Sequence, residues 1–215
     1  MRKRSIVLAF AGAVMMAGCT GGCSKKPVEE YIKEGIVKQQ VVAMFKAVGA
    51  EEKSGKDIED EVKKYCTDSY VALFKKCKKA EEKYIEGLPK MDDGEPEFGD
   101  GWYPITRRDP WAIKSMGNFE ELADVKVVKL TQKPATAELT ATVNCYVPSS
   151  EECSDCDGWN NTPVRIKVSL SDTTWQIDNI THISDSEEIA STDFRARMEW
   201  TLSSESVVSG GKKDK

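Results

Sequence analysis

Cys153-Ser-Asp-Cys156 has the spacing shared by redox and zinc motifs, and it lies in a chain of 215 residues with seven cysteines and one histidine. Zinc asks for four ligands, and the neighbourhood offers Cys145 at most, besides carboxylates. Glu151, Glu152, Asp155 and Asp157 crowd the two thiols with negative charge, which raises thiol pKa values and opposes a reactive thiolate. A structural disulfide is the better reading. His182 is the sole histidine, which excludes sites built on two; at the end of a strand it reads as a structural or surface residue. Asp92, Asp93, Glu95, Glu97 and Asp100 could attract calcium, but their spacing is not that of a calcium loop and hydration accounts for them. No metal and no cofactor is expected. Asp109 and His182 are left as the groups able to serve as a base.

Two bounds follow from composition. Lys and Arg number 31 against 36 Asp and Glu, a net charge of −5. Loss of residues 1–18 would remove three basic residues and take it to about −8. An acidic chain without a basic block lacks the electrostatic term that dominates phosphate-backbone binding, so nucleic acid is not an expected partner. The Lys75-Lys76-Cys77-Lys78-Lys79 run is followed at once by Glu81 and Glu82 and reads as a solvated helix face.

The elements that must position these groups change character along the chain. Residues 28–49 carry Val28, Tyr31, Ile32, Ile36, Val37, Val41, Met44, Phe45 and Val48 at three- and four-residue steps, the helical period, with Gly49 as its stop. A second helix is expected from Asp57 to Cys66, and a third from the Thr67-Asp68-Ser69 cap cluster to about Gly87. Leu88 to Pro110 holds four prolines and three glycines and is expected to be a mobile or functional loop. From about Asp124 the period drops to two. Ala135, Ala137, Leu139, Ala141, Val143, Cys145 and Val147 alternate with polar residues, as do Val164, Ile166, Val168 and Leu170, then Trp175, Ile177 and Asn179. With Val125–Thr131 this gives a four-stranded antiparallel meander, one face buried and one wet. A short last helix over 191–203 is expected, then a disordered tail over 204–215. The fold class is α+β, three N-terminal helices laid on the apolar face of a curved meander, in one domain spanning 28–203.

The amino terminus carries an address. Arg2, Lys3 and Arg4 precede an uncharged stretch from Ser5 to Gly18, the layout of a secretory signal. Its 14 residues would extend about 21 Å as a helix, short of a hydrocarbon core about 30 Å thick. Met16-Ala17-Gly18-Cys19 resembles the lipobox of bacterial lipoproteins, with Met16 in place of the commoner Leu. The resemblance implies cleavage before Cys19, lipidation of its thiol and an effectively permanent membrane anchor, with residues 19–27 as a tether. Thr20, not acidic, implies passage to the outer membrane. Six cysteines then remain as disulfide candidates: Cys23, Cys66, Cys77, Cys145, Cys153 and Cys156. On one straight helix Cys66 and Cys77 would lie about 16 Å apart, beyond the ~7 Å that a disulfide spans, so they pair only if the helix breaks between them. Cys153 and Cys156 could close on each other, or one could join Cys145; these alternatives stay open.

Asp109-Pro110-Trp111, the strands Ala135–Val147 and Val164–Leu170, and Trp175-Gln-Ile177-Asp-Asn-Ile180 resemble an uncharacterised family of small envelope proteins within the nuclear-transport-factor-2-like (cystatin-like) superfamily. The resemblance covers roughly residues 30–183 and implies helices packed into the concave face of a bent sheet, with no catalytic residues to carry over. Asp109, Trp111, Trp175 and His182 are the candidate pocket or contact residues, Trp111 being expected to seat on the open end of the cone. The expectation for function is a membrane-anchored lipoprotein, a non-catalytic binding or accessory module whose partner is an envelope protein or a small ligand. Loop 88–110 and the hairpin tip 148–162 are its expected contact surfaces. Alternatives are an enzyme using the cone as a pocket, an immunity protein against a periplasmic toxin, and a structural spacer.

Overall fold

The computed structural model describes residues 28–52, 58–92, 94–98, 103–113, 118–148, 158–184 and 191–204. The lipidation candidate Cys19, the disulfide candidates Cys23, Cys153 and Cys156, and residues 205–215 of the expected tail lie outside them, as do Asp93 and Asp100 of the acidic loop.

Within these bounds the chain is α+β. Helices α1 (Glu34–Glu52), α2 (Ile58–Tyr65) and α3 (Asp68–Glu86) precede strands β1 (Asn118–Gln132), β2 (Ala135–Val147), β3 (Gly158–Ser171) and β4 (Thr174–His182). A two-residue strand β5 (Thr192–Asp193) and helix α4 (Phe194–Ser203) complete the order. The sheet is antiparallel throughout, in the order β1-β2-β3-β4-β5. The meander therefore gains a fifth strand, and the short last helix is present.

The first helix starts later than its hydrophobic period suggests. Val28–Glu30 is a separate 3-10 turn, closed by the Tyr31 N–H donating to the Val28 carbonyl at 3.0 Å. A continuous helix would give the Tyr31 carbonyl to the backbone N–H four residues on. Here it accepts the Trp175 indole N–H at 3.1 Å, so α1 begins afresh at Glu34. Gly49 does not stop the helix either. It lies inside α1, where a Cβ would overlap the Phe119 side chain of β1; its want of a side chain is what lets helix and strand approach.

The α1 stripe Val37, Val41, Met44, Phe45 and Val48 is buried, against the inward positions Ala137, Leu139, Ala141, Val143 and Cys145 of β2 and Val164, Ile166 and Val168 of β3. Alternation along β2 thus sorts residues between core and solvent as the period of two demands. β1 obeys it less well. Register shifts at Phe119/Glu121, Ala123/Lys126 and Val127/Lys129, with Asp124 at φ 52°, scramble its pattern, so the strand expected at Val125–Thr131 begins seven residues earlier than the alternation does. On β4 a bulge opposite Lys167/Val168 places Ile180 inward against Ile166 and moves Asn179 off the inner face.

The helix break at Thr67 is present and has two functions. Thr67 Oγ1 caps α3 by accepting the Tyr70 N–H at 3.3 Å, and its own N–H donates to the Ile177 carbonyl of β4 at 2.8 Å. The corner is thereby tied to the sheet. It does not create a disulfide: Cys66 and Cys77 are free thiols in the core, and Cys145 donates its thiol to the Ala112 carbonyl at 3.7 Å. Burial pushes the Cys66 and Cys77 thiols far up, so both behave as small apolar residues. For these two the disulfide expectation is corrected. The even cysteine count suggested bridges, but each side chain packs in its own part of the core, Cys77 beside Glu81 and Thr201 and Cys66 against the β4 edge.

The last helix is fastened by polar side chains. Asp193 caps α4, accepting the Ala196 N–H at 2.9 Å and two bonds from the Asn179 amide at 2.8 Å. Arg195 donates to Asp178 Oδ1 and Ser69 Oγ, both at 2.9 Å, and so joins α4, β4 and the first turn of α3. Among the described residues no helix is long and apolar enough to cross a membrane.

Candidate functional site

The chemistry-bearing residues converge on the segment 103–113, which runs between α3, α4 and the end of β4. Its 3-10 turn Ile105–Arg107 is capped from another element. Glu81 of α3 is buried and accepts the Ile105 N–H at 2.7 Å, the Thr106 N–H at 3.2 Å and the Thr106 hydroxyl. Three donors compensate this carboxylate for its lost water. Asp109 repeats the device two residues on: Oδ1 accepts the Trp111 N–H at 2.9 Å and Oδ2 the Ile113 N–H. These bonds hold Ala112 at φ 58°, a left-handed conformation that costs a non-glycine residue about 1–2 kcal/mol.

The turn drives Trp111 inward. It is fully buried, edge-on to Phe45 at 5.4 Å and to Tyr65 at 5.9 Å between ring centroids. His182 closes the arrangement from β4, its Nε2–H donating to the Pro110 carbonyl at 3.0 Å and its ring 4.9 Å from that of Phe194. Burial lowers the His182 pKa, and the Pro110 bond only partly offsets this. Asp109, Trp111 and His182 are therefore together, as a proton-transfer reading requires. The Asp109 carboxylate and His182 Nε2, however, are engaged with backbone groups of the same turn, and the buried Trp111 indole N–H has no hydrogen-bond partner among the described residues.

Trp175 is elsewhere. It sits at the start of β4, fully buried, its backbone N–H donating to Gln40 Oε1 at 2.8 Å and its indole to Tyr31. It locks the first residues of the domain to the sheet. In the acidic loop Asp92, Glu95 and Glu97 are exposed, and backbone bonds between Met91 and Glu95 and between Glu97 and Pro89, both 2.8 Å, shape the chain around them. Among the described residues no group of three or more His, Cys, Asp or Glu is placed to hold a metal ion.

Three grooves stand out on the surface. One, between α2, α3 and Pro104–Arg107, mixes Lys78 and Arg107 with Glu81 and Glu82. A second, along the first turns of α1, is lined by Tyr31, Ile36, Gln39 and Gln40. The third lies between the 105–107 turn and α4, with a volume of about 330 Å³. Ile105, Ala196 and Trp200 make its apolar wall, Ser191 and Thr192 supply hydroxyls, and Arg108 and Arg197 supply cations. Neither Asp109 nor His182 lines any of the three. Arg108, Arg197 and Trp200 escaped the sequence reading, since Arg108 and Arg197 sit in different elements and nothing local joins them. The nearest signal was the exposed Arg107-Arg108 pair directly before Asp109-Pro110.

The class that this geometry defines is an α+β domain with its helices against one antiparallel sheet. No family model matches the chain, no curated protein matches its sequence, and no solved structure matches its fold.

Proposed function

We propose that the chain is a lipid-anchored envelope protein, fastened through Cys19, facing the periplasm from the outer membrane of a double-membraned bacterium, and working by binding without catalysis. The finer fold reading, a nuclear-transport-factor-2-like cone, belongs to the same proposal; helices against an antiparallel sheet with bulges in its strands support it. The observation that carries the binding reading is the fate of Asp109 and His182. The two groups an enzyme reading would use as a base both serve the Asp-Pro-Trp turn, and neither lines any of the three grooves.

Anchoring would give the domain a direction. Residues 19–27 reach at most about 30 Å, so Val28 would stay close to the bilayer. Val28–Glu30 lies at the end of the sheet that holds Thr173 and Trp175, because Gln40 and Tyr31 bond to these residues. β4 runs away from that end for 9 residues, about 30 Å. The turn 105–109, β5 and the start of α4 lie toward the far end, at His182. That end would face partners. The test is intact-mass spectrometry of protein extracted from membranes in detergent. A mature chain beginning at Cys19 with added acyl mass is expected; an unmodified N-terminus overturns the anchor.

A further inference from the structure

We propose that the groove between the 105–107 turn and α4 is a binding site for a small organic anion, a carboxylate or phosphate group joined to an apolar part. The inference rests on the binding reading and names its ligand class.

Size comes first. About 330 Å³ falls within the range of small-molecule sites, roughly 300–1,000 Å³. The decisive feature is the state of the two arginines. The Arg197 guanidinium lies over the Trp200 ring at 4.3 Å, and that of Arg108 near the Tyr103 ring at 5.6 Å. Stacking uses the face of a guanidinium and leaves its N–H edges open, the geometry for two-pronged binding of carboxylate or phosphate. Among the described residues neither guanidinium makes an ion pair or a hydrogen bond, whereas that of Arg195, between the groove residues Asp193 and Ala196, is paired with Asp178.

One carboxylate does line the groove, and its oxygens are occupied. Asp193 accepts from the Ala196 N–H, the Asn179 amide and the Thr181 hydroxyl, with Lys167 near enough to act on its charge. The groove thus keeps two cations that no acid among the described residues pairs. Trp200, 49% exposed, gives a flat apolar wall beside them, and Ser191 and Thr192 add hydroxyls that donate to an anion. A cation pair alone would take inorganic phosphate as readily; the tryptophan selects a ligand with an apolar part.

The experiment is calorimetric titration of the full chain in neutral detergent with phenyl phosphate, benzoate, inorganic phosphate and benzyl alcohol. Phenyl phosphate or benzoate is expected to bind saturably at one site, at least about tenfold tighter than inorganic phosphate, with no binding of the neutral alcohol. Preference between the two organic anions tells which acid group the groove takes. Arg108→Gln and Arg197→Gln should each weaken binding by about tenfold or more, the size of one lost charge-assisted pair, with the unfolding midpoint unchanged. Absence of saturable binding by either organic anion at millimolar concentration overturns the site, and so does an affinity that neither arginine variant moves. The outcomes separate this site from the reading beneath it. Acyl mass on Cys19 with no anion bound would sink the groove alone. Bound phenyl phosphate released as phenol would keep the groove and sink the non-catalytic reading.

Discussion

The two sides of the segment 103–113 use charge in opposite ways. On the inner side Asp109, like Glu81 of α3 at residues 105 and 106, spends its oxygens on backbone N–H groups, and the result is a tight turn with Trp111 buried beneath it. On the outer side Arg108, with Arg197 opposite on α4, rests on aromatic rings and is left without an acid. Neighbours in sequence, Arg108 and Asp109 differ because one side chain meets donors that have lost water and the other meets solvent. A buried carboxylate is tolerated only when hydrogen bonds replace its hydration. An exposed guanidinium has no such requirement and stays available for a ligand.

That contrast can be broken by substitution. Trp111→Ala should have the largest effect, a loss of about 3–5 kcal/mol measured by urea denaturation, since it empties the space between Phe45 and Tyr65. Asp109→Ala should follow at about 3 kcal/mol, because two interior N–H groups lose their acceptor at once. Asp109→Asn keeps one acceptor oxygen and should lose roughly half as much. If Asp109→Asn instead left stability untouched, the carboxylate would not be a folding device and the contrast would fail.

His182 gives a smaller effect with a definite sign. Its folded pKa lies below the ordinary 6.5, chiefly because of burial, so the unfolded chain takes up the proton first. The contribution is complete above about pH 6.5 and drains away as pH falls toward the folded pKa. Denaturation midpoints should fall between pH 7.5 and 5.5, and His182→Gln should flatten that slope. As the chain has one histidine, the slope can be assigned to a single group. Smallest of all, Arg108→Gln and Arg197→Gln should shift stability by no more than about 0.5 kcal/mol. A larger loss in either would mean that the outer side is also part of the scaffold, which sharpens the boundary in the other direction.

Much of the scaffold was legible because burial has a period. Ala137 to Cys145 and Val164 to Val168 alternate, and the first three helices carry their apolar stripes, so the α+β class and the helix break at Thr67 could be read directly. β1 was shortened because its bulges spoil the alternation, and α1 was lengthened because Val28 and Tyr31 continue its stripe while the indole of Trp175 takes the carbonyl a longer helix would use. Among the candidate site residues, Asp109, Trp111 and His182 stood out and His182 read as structural, but the capping role of Asp109 was not legible. A carboxylate that could serve as a base and one that caps a turn look the same until their donors are in place. The cysteines mislead in a similar way: a thiol suited to a bridge and one that fills a core differ only in what surrounds them.

Taken alone, the sequence determined which faces of its helices and strands must leave water, because hydrophobic burial acts residue by residue along a helical or extended period. It also carried the Met16-Ala17-Gly18-Cys19 pattern, on which the proposed anchor depends. Tertiary structure alone decided that Arg108 and Arg197 share a groove and that Glu81 of α3 caps the 105–107 turn. The first meeting depends on where β5 joins β4 and where α4 then crosses, the second on where α3 meets that turn, and long-range pairings of this kind leave no period in the chain.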